Sequence, residues 1–190
     1  MTKNSKVIRD TEMAIFKMKQ KLSKLRKKQK PELVENDYVF LSQNSKPVKL
    51  SQLFDNKEEL IIVHNMGFSC SYCTLWADGF NGLALPLNDR ASFYVENDES
   101  VATQKKFAKS RGWKFKMLSS VATNFKKDMG YQIIKNNKKN NWPGISTFYK
   151  KDGKIYRRAH AGFGPGDNFC LMWDIIDLLG NQKWEPKYKY

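Results

Sequence analysis

The stretch Glu59-Leu60-Ile61-Ile62-Val63-His64-Asn65-Met66-Gly67-Phe68-Ser69-Cys70-Ser71-Tyr72-Cys73 decides the fold. Its first part, Glu59 to His64, is a largely apolar run, the pattern of a strand buried at the centre of a sheet. A short loop carrying Gly67 then delivers the chain to two cysteines. The residues from Thr74 to Leu87 read as a helix, made irregular by Gly79, Gly82 and Pro86. A central strand that hands over to a helix is where open α/β sheets place ligands and reactive groups.

The cysteine spacing carries its own chemistry. In the first turn of a helix, residues i and i+3 share a face, within the roughly 4.4–6.8 Å between Cα atoms that a disulfide tolerates. Free backbone N–H groups and the positive end of the helix dipole favour an anion at that point. An ordinary thiol, with a pKa of about 8.5, is only a few per cent ionised at neutral pH. A field worth up to about 2 kcal/mol brings the thiolate fraction toward one half. Cys70 is then the exposed attacking sulfur and Cys73, one turn in, the resolving one. A Cys-x-x-Cys is also half of a tetrahedral zinc site. The further ligands available, Cys170, His64 and His160, offer no second closely spaced pair.

Composition sets bounds on these readings. The 190 residues are 41% hydrophobic and 13% aromatic, enough to pack one core. They divide into a basic amphipathic helix over 1–31, a core domain over 32–180 and an irregular tail over 181–190. No apolar run approaches the ~20 residues of a membrane span, and the basic N-terminus lacks the apolar block of a secretory signal. Three cysteines are too few for a disulfide framework, which points to a reducing, cytoplasmic compartment. The net charge of +15 is uneven: residues 1–30 carry +9, residues 126–158 carry +8, and the rest is close to neutral. Such fields attract polyanions. However, 28 of the 34 basic residues are Lys, whereas Arg makes the bidentate and stacking contacts of nucleic-acid recognition. No specific nucleic-acid partner is therefore expected.

Along the chain, residues 7–29 read as one helix. Ile8, Ile15 and Leu22 recur every seven residues, Met18 and Leu25 fill a second seam, and Pro31 stops the pattern. Its narrow stripe suits packing on protein, including a second copy of the chain as a homodimer. Strands are expected at Tyr38–Leu41, Glu59–His64, Ala91–Val95, Phe115–Leu118, Ile145–Tyr149 and Lys154–Arg158, the last two joined by the hairpin signal Asp152-Gly153. Asp98 or Ser100 caps a helix running to Arg111, with Gly112 past its end. Ser119 or Ser120 caps a short helix that ends at Gly130. Residues 131–142, polar and with four Asn, read as a loop, and Asn168–Leu179 as a final helix. Alternating strands and helices followed by a hairpin give an α/β layered domain with a mixed central sheet.

Read together, these segments resemble a known family. Asp37-Tyr38-Val39-Phe40, Leu50 to Phe54, His64-x-Met66, Trp76-Ala77-Asp78-Gly79-Phe80-Asn81-Gly82, Gly112-Trp113, Ser119-Ser120, Asn124-Phe125 and Pro143-Gly144-Ile145-Ser146 occur in its order, over roughly residues 8–179. The chain is similar to an uncharacterised bacterial family of thioredoxin-like proteins described as predicted dithiol–disulfide oxidoreductases. The resemblance implies a three-layer thioredoxin-like fold preceded by the extra N-terminal amphipathic helix, with Cys70 and Cys73 as the redox pair. The segment between His64 and Cys70 is shorter than in the family and lacks its acidic, Trp-containing loop, a difference that falls on substrate preference. Thioredoxin-like proteins place a cis-proline beside the redox pair. Pro143 is the residue available for that position, or else it is a trans proline ending the Asn-rich loop.

Three supporting residues have two readings each. His64 either stabilises a thiolate and carries protons, or faces away from the site at the strand end. Asp78 either accepts the Cys73 proton or serves as a hydrogen-bonding residue of the helix. Trp76 follows the motif beside it. The expected chemistry is thiol–disulfide exchange between a protein or small-molecule disulfide and a thiol electron donor, with no bound cofactor or metal. A peroxiredoxin-like thiol peroxidase working through a sulfenic acid at Cys70 is the alternative, although Gly67 stands where such sites carry Thr. A non-catalytic basic binding module is the other.

Overall fold

The computed structural model describes residues 2–180 and 184–187. The chain begins with α1 (Lys3–Lys28), then the short strands β1 (Glu32–Leu33), β2 (Val39–Ser42) and β3 (Pro47–Lys49), a 3-10 turn (Leu50–Gln52), and the central strand β4 (Glu59–His64). Next come α2 (Ser71–Gly82), α3 (Ala84–Arg90), β5 (Ser92–Asn97), α4 (Val101–Arg111), β6 (Lys116–Ser119) and α5 (Phe125–Asp128). Two hairpins, β7 (Gln132–Lys135) with β8 (Lys138–Asn141) and β9 (Gly144–Lys151) with β10 (Lys154–Gly162), precede α6 (Met172–Leu178). Eight strands form one mixed sheet in the order β1-β10-β9-β4-β5-β6-β2-β3, while β7 and β8 pair apart from it. The run β4-β5-β6 is parallel, and β9 joins β4 antiparallel.

Strand parity divides the core in two, because alternate side chains of a strand point to opposite faces. Leu60, Ile62 and Tyr94 face one cluster, closed by Leu50, Leu53 and Phe54 around the 3-10 turn and by Phe125 of α5. Ile61, Val63, Phe93 and Val95 face the other, closed by Trp76, Ala77 and Phe80 of α2, Ala84 of α3 and Ala108 of α4. The result is the expected three layers. The same parity puts His64 and Glu96 on the α5 face and leaves the cysteine-bearing helix on the opposite one.

Several local expectations are corrected. The helix read from Thr74 to Leu87 is two helices, broken at Leu83, and it starts earlier, with Cys70 as N-cap. Pro86 has no N–H to give the Gly82 carbonyl, so the chain stops there and restarts with Pro86 in a first turn, where a missing donor costs nothing. The Asn-rich loop over 131–142 is largely the β7–β8 hairpin, turned by Asn136 and Asn137 at φ 50° and 56°; Asn tolerates that left-handed region. Its Ile133 and Ile134 stay exposed, so no burial pattern marks these strands. Ser119 and Ser120 cap nothing: Ser119 Oγ donates to the Glu99 carbonyl and Ser120 Oγ to the Glu96 and Asp98 carboxylates. The last helix is shorter than expected because the Asp167 side chain accepts the Gly164 and Phe169 N–H groups and holds a turn before it. β1 pairs with β10 where no strand was expected. No described peptide bond is cis, so Pro143 is trans. Ser100 caps α4 and Gly112 ends it at φ 65° as expected.

α1 starts four residues before the expected residue 7 and ends at Lys28, and none of its residues is buried. The seam of Ile8, Ile15, Met18, Leu22 and Leu25 is exposed along the helix. Residues 184–187 carry no regular element, and the rest of the tail expected from Asn181 lies outside the described residues. Among the described residues no helix is long and apolar enough to cross a membrane.

Gly144, at the start of β9, is the most tightly enclosed of the glycines. A Cβ there would run into the Tyr131 ring and the Ala161 carbonyl oxygen. Gly144→Ala is expected to destabilise by about 1–3 kcal/mol, the usual cost of overpacking. Urea denaturation measures this, and an unchanged midpoint would contradict the packing.

Candidate active site

Cys70 ends the β4–α2 loop in an extended conformation, and its sulfur accepts the backbone N–H of Cys73 at 3.1 Å, serving as the N-cap of α2. It is half-buried, whereas Cys73 is 2% exposed. The two thiols are unequal for a physical reason. A hydrogen bond from the Cys73 side chain stabilises a thiolate at Cys70; burial opposes this, the backbone N–H groups of Cys73 and Tyr72 add to it, and the net effect lowers the Cys70 pKa to about 7. Cys73 moves the other way. Its bond to Cys70, burial and the negative charge on Cys70 all raise it, against the Met66 N–H and the Lys126 charge, which lower it.

The loop that presents Cys70 is held from behind. The Asn65 side chain accepts the Gly67 N–H at 2.8 Å and donates to the Cys73 carbonyl at 3.4 Å. Gly67 takes φ 111°, a value only glycine adopts readily, and Phe68 stacks on Phe107 with centroids 4.0 Å apart. The Asn65 carbonyl accepts a hydrogen bond from Lys126 Nζ at 2.9 Å. Lys126 is 1% exposed, yet its ammonium lies 3.2 Å from Asp98 and 3.6 Å from Glu96. Lys126 and Glu96 are thus sealed beneath the loop that carries Cys70, with the part-exposed Asp98 at their edge.

His64 belongs to this buried network. Nδ1 is 2.8 Å from Glu96, Nε2 is 2.9 Å from Ser146 Oγ, and the ring stacks on Tyr131 with centroids 3.9 Å apart. Arg157 Nε donates to the same Ser146 oxygen at 3.2 Å. These partners assign the proton to Nδ1, with Ser146 donating to Nε2. Burial pushes His64 below the ordinary histidine value despite Glu96. Burial also acts to raise Glu96, but Lys126, His64 and Ser120 outweigh it and hold the carboxyl ionised. The order Ser146–His64–Glu96 has the connectivity of a hydrolase triad. All three residues are 0% exposed, so no substrate reaches the hydroxyl and the set is a structural one.

The structure brings Cys70 and Cys73 together and places the supporting residues elsewhere. Both ring nitrogens of His64 are engaged by Glu96 and Ser146, not by a thiol. Asp78 is turned toward α4 and β6, accepting from Trp113 Nε1 at 2.7 Å and pairing with Arg111. Trp76 is buried against Phe163 and Trp173, and its indole N–H makes no hydrogen bond. Pro143 leads into Gly144, the residue paired with His64. Cys170 is part-buried at the edge of the α2 cluster. Among the described residues, no three or more His, Cys, Asp or Glu come together as metal ligands. The residues missed in the sequence are Lys126, Glu96, Asp98, Asn65, Ser146 and Arg157. Only the strand parity of Glu96 with Tyr94 offered a signal, and nothing distinguished Lys126 from its neighbour Lys127.

A family described as bacterial protein of unknown function (DUF899) matches residues 3–189. No curated protein matches the chain. Among solved structures the chain is similar to a peroxiredoxin at 16% identity, with a TM-score of 0.59, covering 80% of this chain and 99% of that one. It is similar to the peroxidoxin BcpB from Mycobacterium tuberculosis at 24% identity, with a TM-score of 0.55, covering 66% and 80%. It is also similar to the mitochondrial 2-Cys peroxiredoxin from Plasmodium falciparum at 15% identity, with a TM-score of 0.52, covering 78% and 92%. These likenesses establish the thioredoxin-like fold.

Two outcomes follow from the site. In a Cys170→Ser background, iodoacetamide should modify Cys70 with a midpoint near the pKa of about 7. Adding Cys73→Ala removes the largest cause of that shift, so the midpoint should rise toward that of a free thiol. Equal midpoints would contradict the assignment. Stability should fall with acidification in two stages. Because the folded state holds His64 below its unfolded value, protons favour the unfolded chain from about pH 6.5 downward. Glu96 and Asp98 are also depressed, so their contribution is present above about pH 4 and lost as pH falls through their folded values. Thermal melts from pH 8 to 3 measure this, and His64→Gln should flatten the first stage only.

Proposed function

The chain belongs to the DUF899 family of bacterial proteins of unknown function, and from that starting point we propose that it is a thiol–disulfide oxidoreductase, with Cys70 attacking and Cys73 resolving. The observation that carries this reading is the inequality of two adjacent thiols: a half-buried sulfur at a helix N-cap with a pKa of about 7, hydrogen-bonded by a buried one whose pKa is raised. The Cys70 thiolate attacks a substrate disulfide. One S–S bond breaks, a mixed disulfide forms, and the first substrate thiolate leaves and takes a proton from water.

The second step follows from the causes that raise Cys73. Its hydrogen bond to Cys70 and the Cys70 charge both disappear once Cys70 is covalently bound. The Met66 N–H and the Lys126 charge remain, and both favour the Cys73 thiolate. Cys73 gives its proton to water and attacks the Cys70 sulfur; the bond to the substrate sulfur breaks, and the second substrate thiolate leaves and takes a proton from water. The protein is left as the Cys70–Cys73 disulfide, with the substrate reduced by two electrons. A dithiol donor restores the reduced pair. The fold neighbours named peroxiredoxins support thiol chemistry on this scaffold and make a peroxide the second substrate class. Against it, Gly67 supplies no hydroxyl beside Cys70.

Trapping tests the assignment. Cys73→Ser should accumulate mixed disulfides with substrate, visible on non-reducing gels, and Cys70→Ser should not. Equal accumulation by both variants would defeat the roles. Peroxide consumption with a thiol donor, without disulfide reduction, would favour the peroxidase instead.

A further inference from the structure

We propose that the cleft between α1 and β10 binds a small molecule carrying a diphosphate group. The cleft holds about 460 Å³, within the range of small-molecule sites. Lys19, Arg26 and Lys27 line it from α1 and Arg158 from β10, while Ser23 and Asn168 add a hydroxyl and an amide. Lys19, Ser23 and Arg26 recur at four and three residues and so share one face of the helix. No carboxylate lines the cleft. A smaller cleft of about 160 Å³ shares Arg26 and Ala159 with it and is lined further by Ile145, Ala161 and Phe169. None of these residues takes part in the disulfide exchange proposed above.

The four cations have no counter-charge within the chain. None of them makes an ion pair among the described residues. The carboxylates nearest in sequence are engaged elsewhere: Asp167 accepts the Gly164 and Phe169 N–H groups, and Glu32 lies 3.7 Å from Arg157 Nη1. Three cations of α1 therefore meet Arg158 across the cleft with like charge. An anion with several charges that reaches both walls removes this repulsion, and a diphosphate packs such charge into a small volume. Arg158 is set up to receive it. The β10–β9 ladder slips at this residue, with Arg157 paired to Phe148 and Ala159 to Thr147, so Arg158 is the extra residue of a bulge. A bulge re-aims a side chain, and here the guanidinium lies 4.4 Å from the Tyr149 ring centroid. A guanidinium on a ring face keeps its edge of N–H donors for two-pronged contact with phosphate oxygens. The smaller apolar cleft gives an organic group a surface, which favours a diphosphate ester over free pyrophosphate. A polynucleotide needs cations spread along a strip, whereas these line one cavity of small-molecule size.

The test is calorimetric titration of the full chain with ADP, AMP and pyrophosphate at about 0.15 M KCl, which screens distant surface charge. ADP should bind at one site, and AMP, one phosphate shorter, about tenfold more weakly. Arg26→Gln and Arg158→Gln should each weaken ADP about tenfold, the loss of one charge-assisted hydrogen bond. Both side chains are exposed, so neither variant disturbs the core. The double variant Lys105→Gln, Lys106→Gln removes two exposed cations of α4 and should leave the affinity within about twofold. Pyrophosphate weaker than ADP supports the site with an ester as its ligand; pyrophosphate as tight as ADP supports it with the free diphosphate. Absence of binding of both at about 1 mM, equal affinity for AMP and ADP, or equal weakening by the α4 variant would overturn it. So would a single-stranded oligonucleotide that binds more tightly than ADP and is lost in the same two arginine variants, which assigns the cleft to nucleic acid.

Discussion

A single ammonium group, Lys126 Nζ, ties the molecule together at the place where chemistry is possible. Burying a charge costs several kcal/mol unless counter-charges and hydrogen bonds meet it in the right geometry. Here three answering groups come from two segments: Glu96 and Asp98 at and just beyond the end of β5, and the Asn65 carbonyl from the loop after β4. A shift of the β5 end would leave a buried charge unanswered, and a shift of the loop would take a hydrogen-bond acceptor from it. The loop that carries Cys70 is therefore positioned by polar contacts on one face of the sheet, while the helix it feeds packs by apolar contact on the other.

This division explains how so short a motif is made asymmetric. The dipole and N–H groups of α2 act on Cys70 from the helix side. Lys126, reaching from the opposite layer, acts on Cys73. The two sulfurs act most strongly on each other, while the α2 N–H groups add to the lowering of Cys70 and the Lys126 charge partly offsets the raising of Cys73. His64, Ser146 and Arg157 extend the polar layer toward β10 without touching sulfur. Their contribution is to keep the ends of β4, β9 and β10 in register, and that in turn places Pro143 and Phe163.

Sequence reasoning reached the fold because its signals were local. The apolar run Glu59–His64, the capping serine at position 100, the glycine after α4 and the Asp152-Gly153 turn each act through neighbouring residues, and the structure has them all. It stumbled where partners are distant or patterns are flat. β7 and β8 have exposed isoleucines and polar neighbours, so neither face alternates. Ser119 and Ser120 look like helix caps, yet tertiary carboxylates and a carbonyl claim their hydroxyls. The proximity of the two cysteines was legible because it follows from their spacing at a helix start. Lys126 was not, because the burial of one lysine in a run of two depends on where α5 lies against the sheet.

α1 has a mechanical consequence. Its 26 residues make a rod about 39 Å long, comparable to the width of a domain whose radius of gyration is about 15 Å. Because the rod adds surface without adding core, it increases friction far more than mass. In solution the protein will tumble more slowly than a compact particle of its 22.2 kDa, and sediment more slowly too.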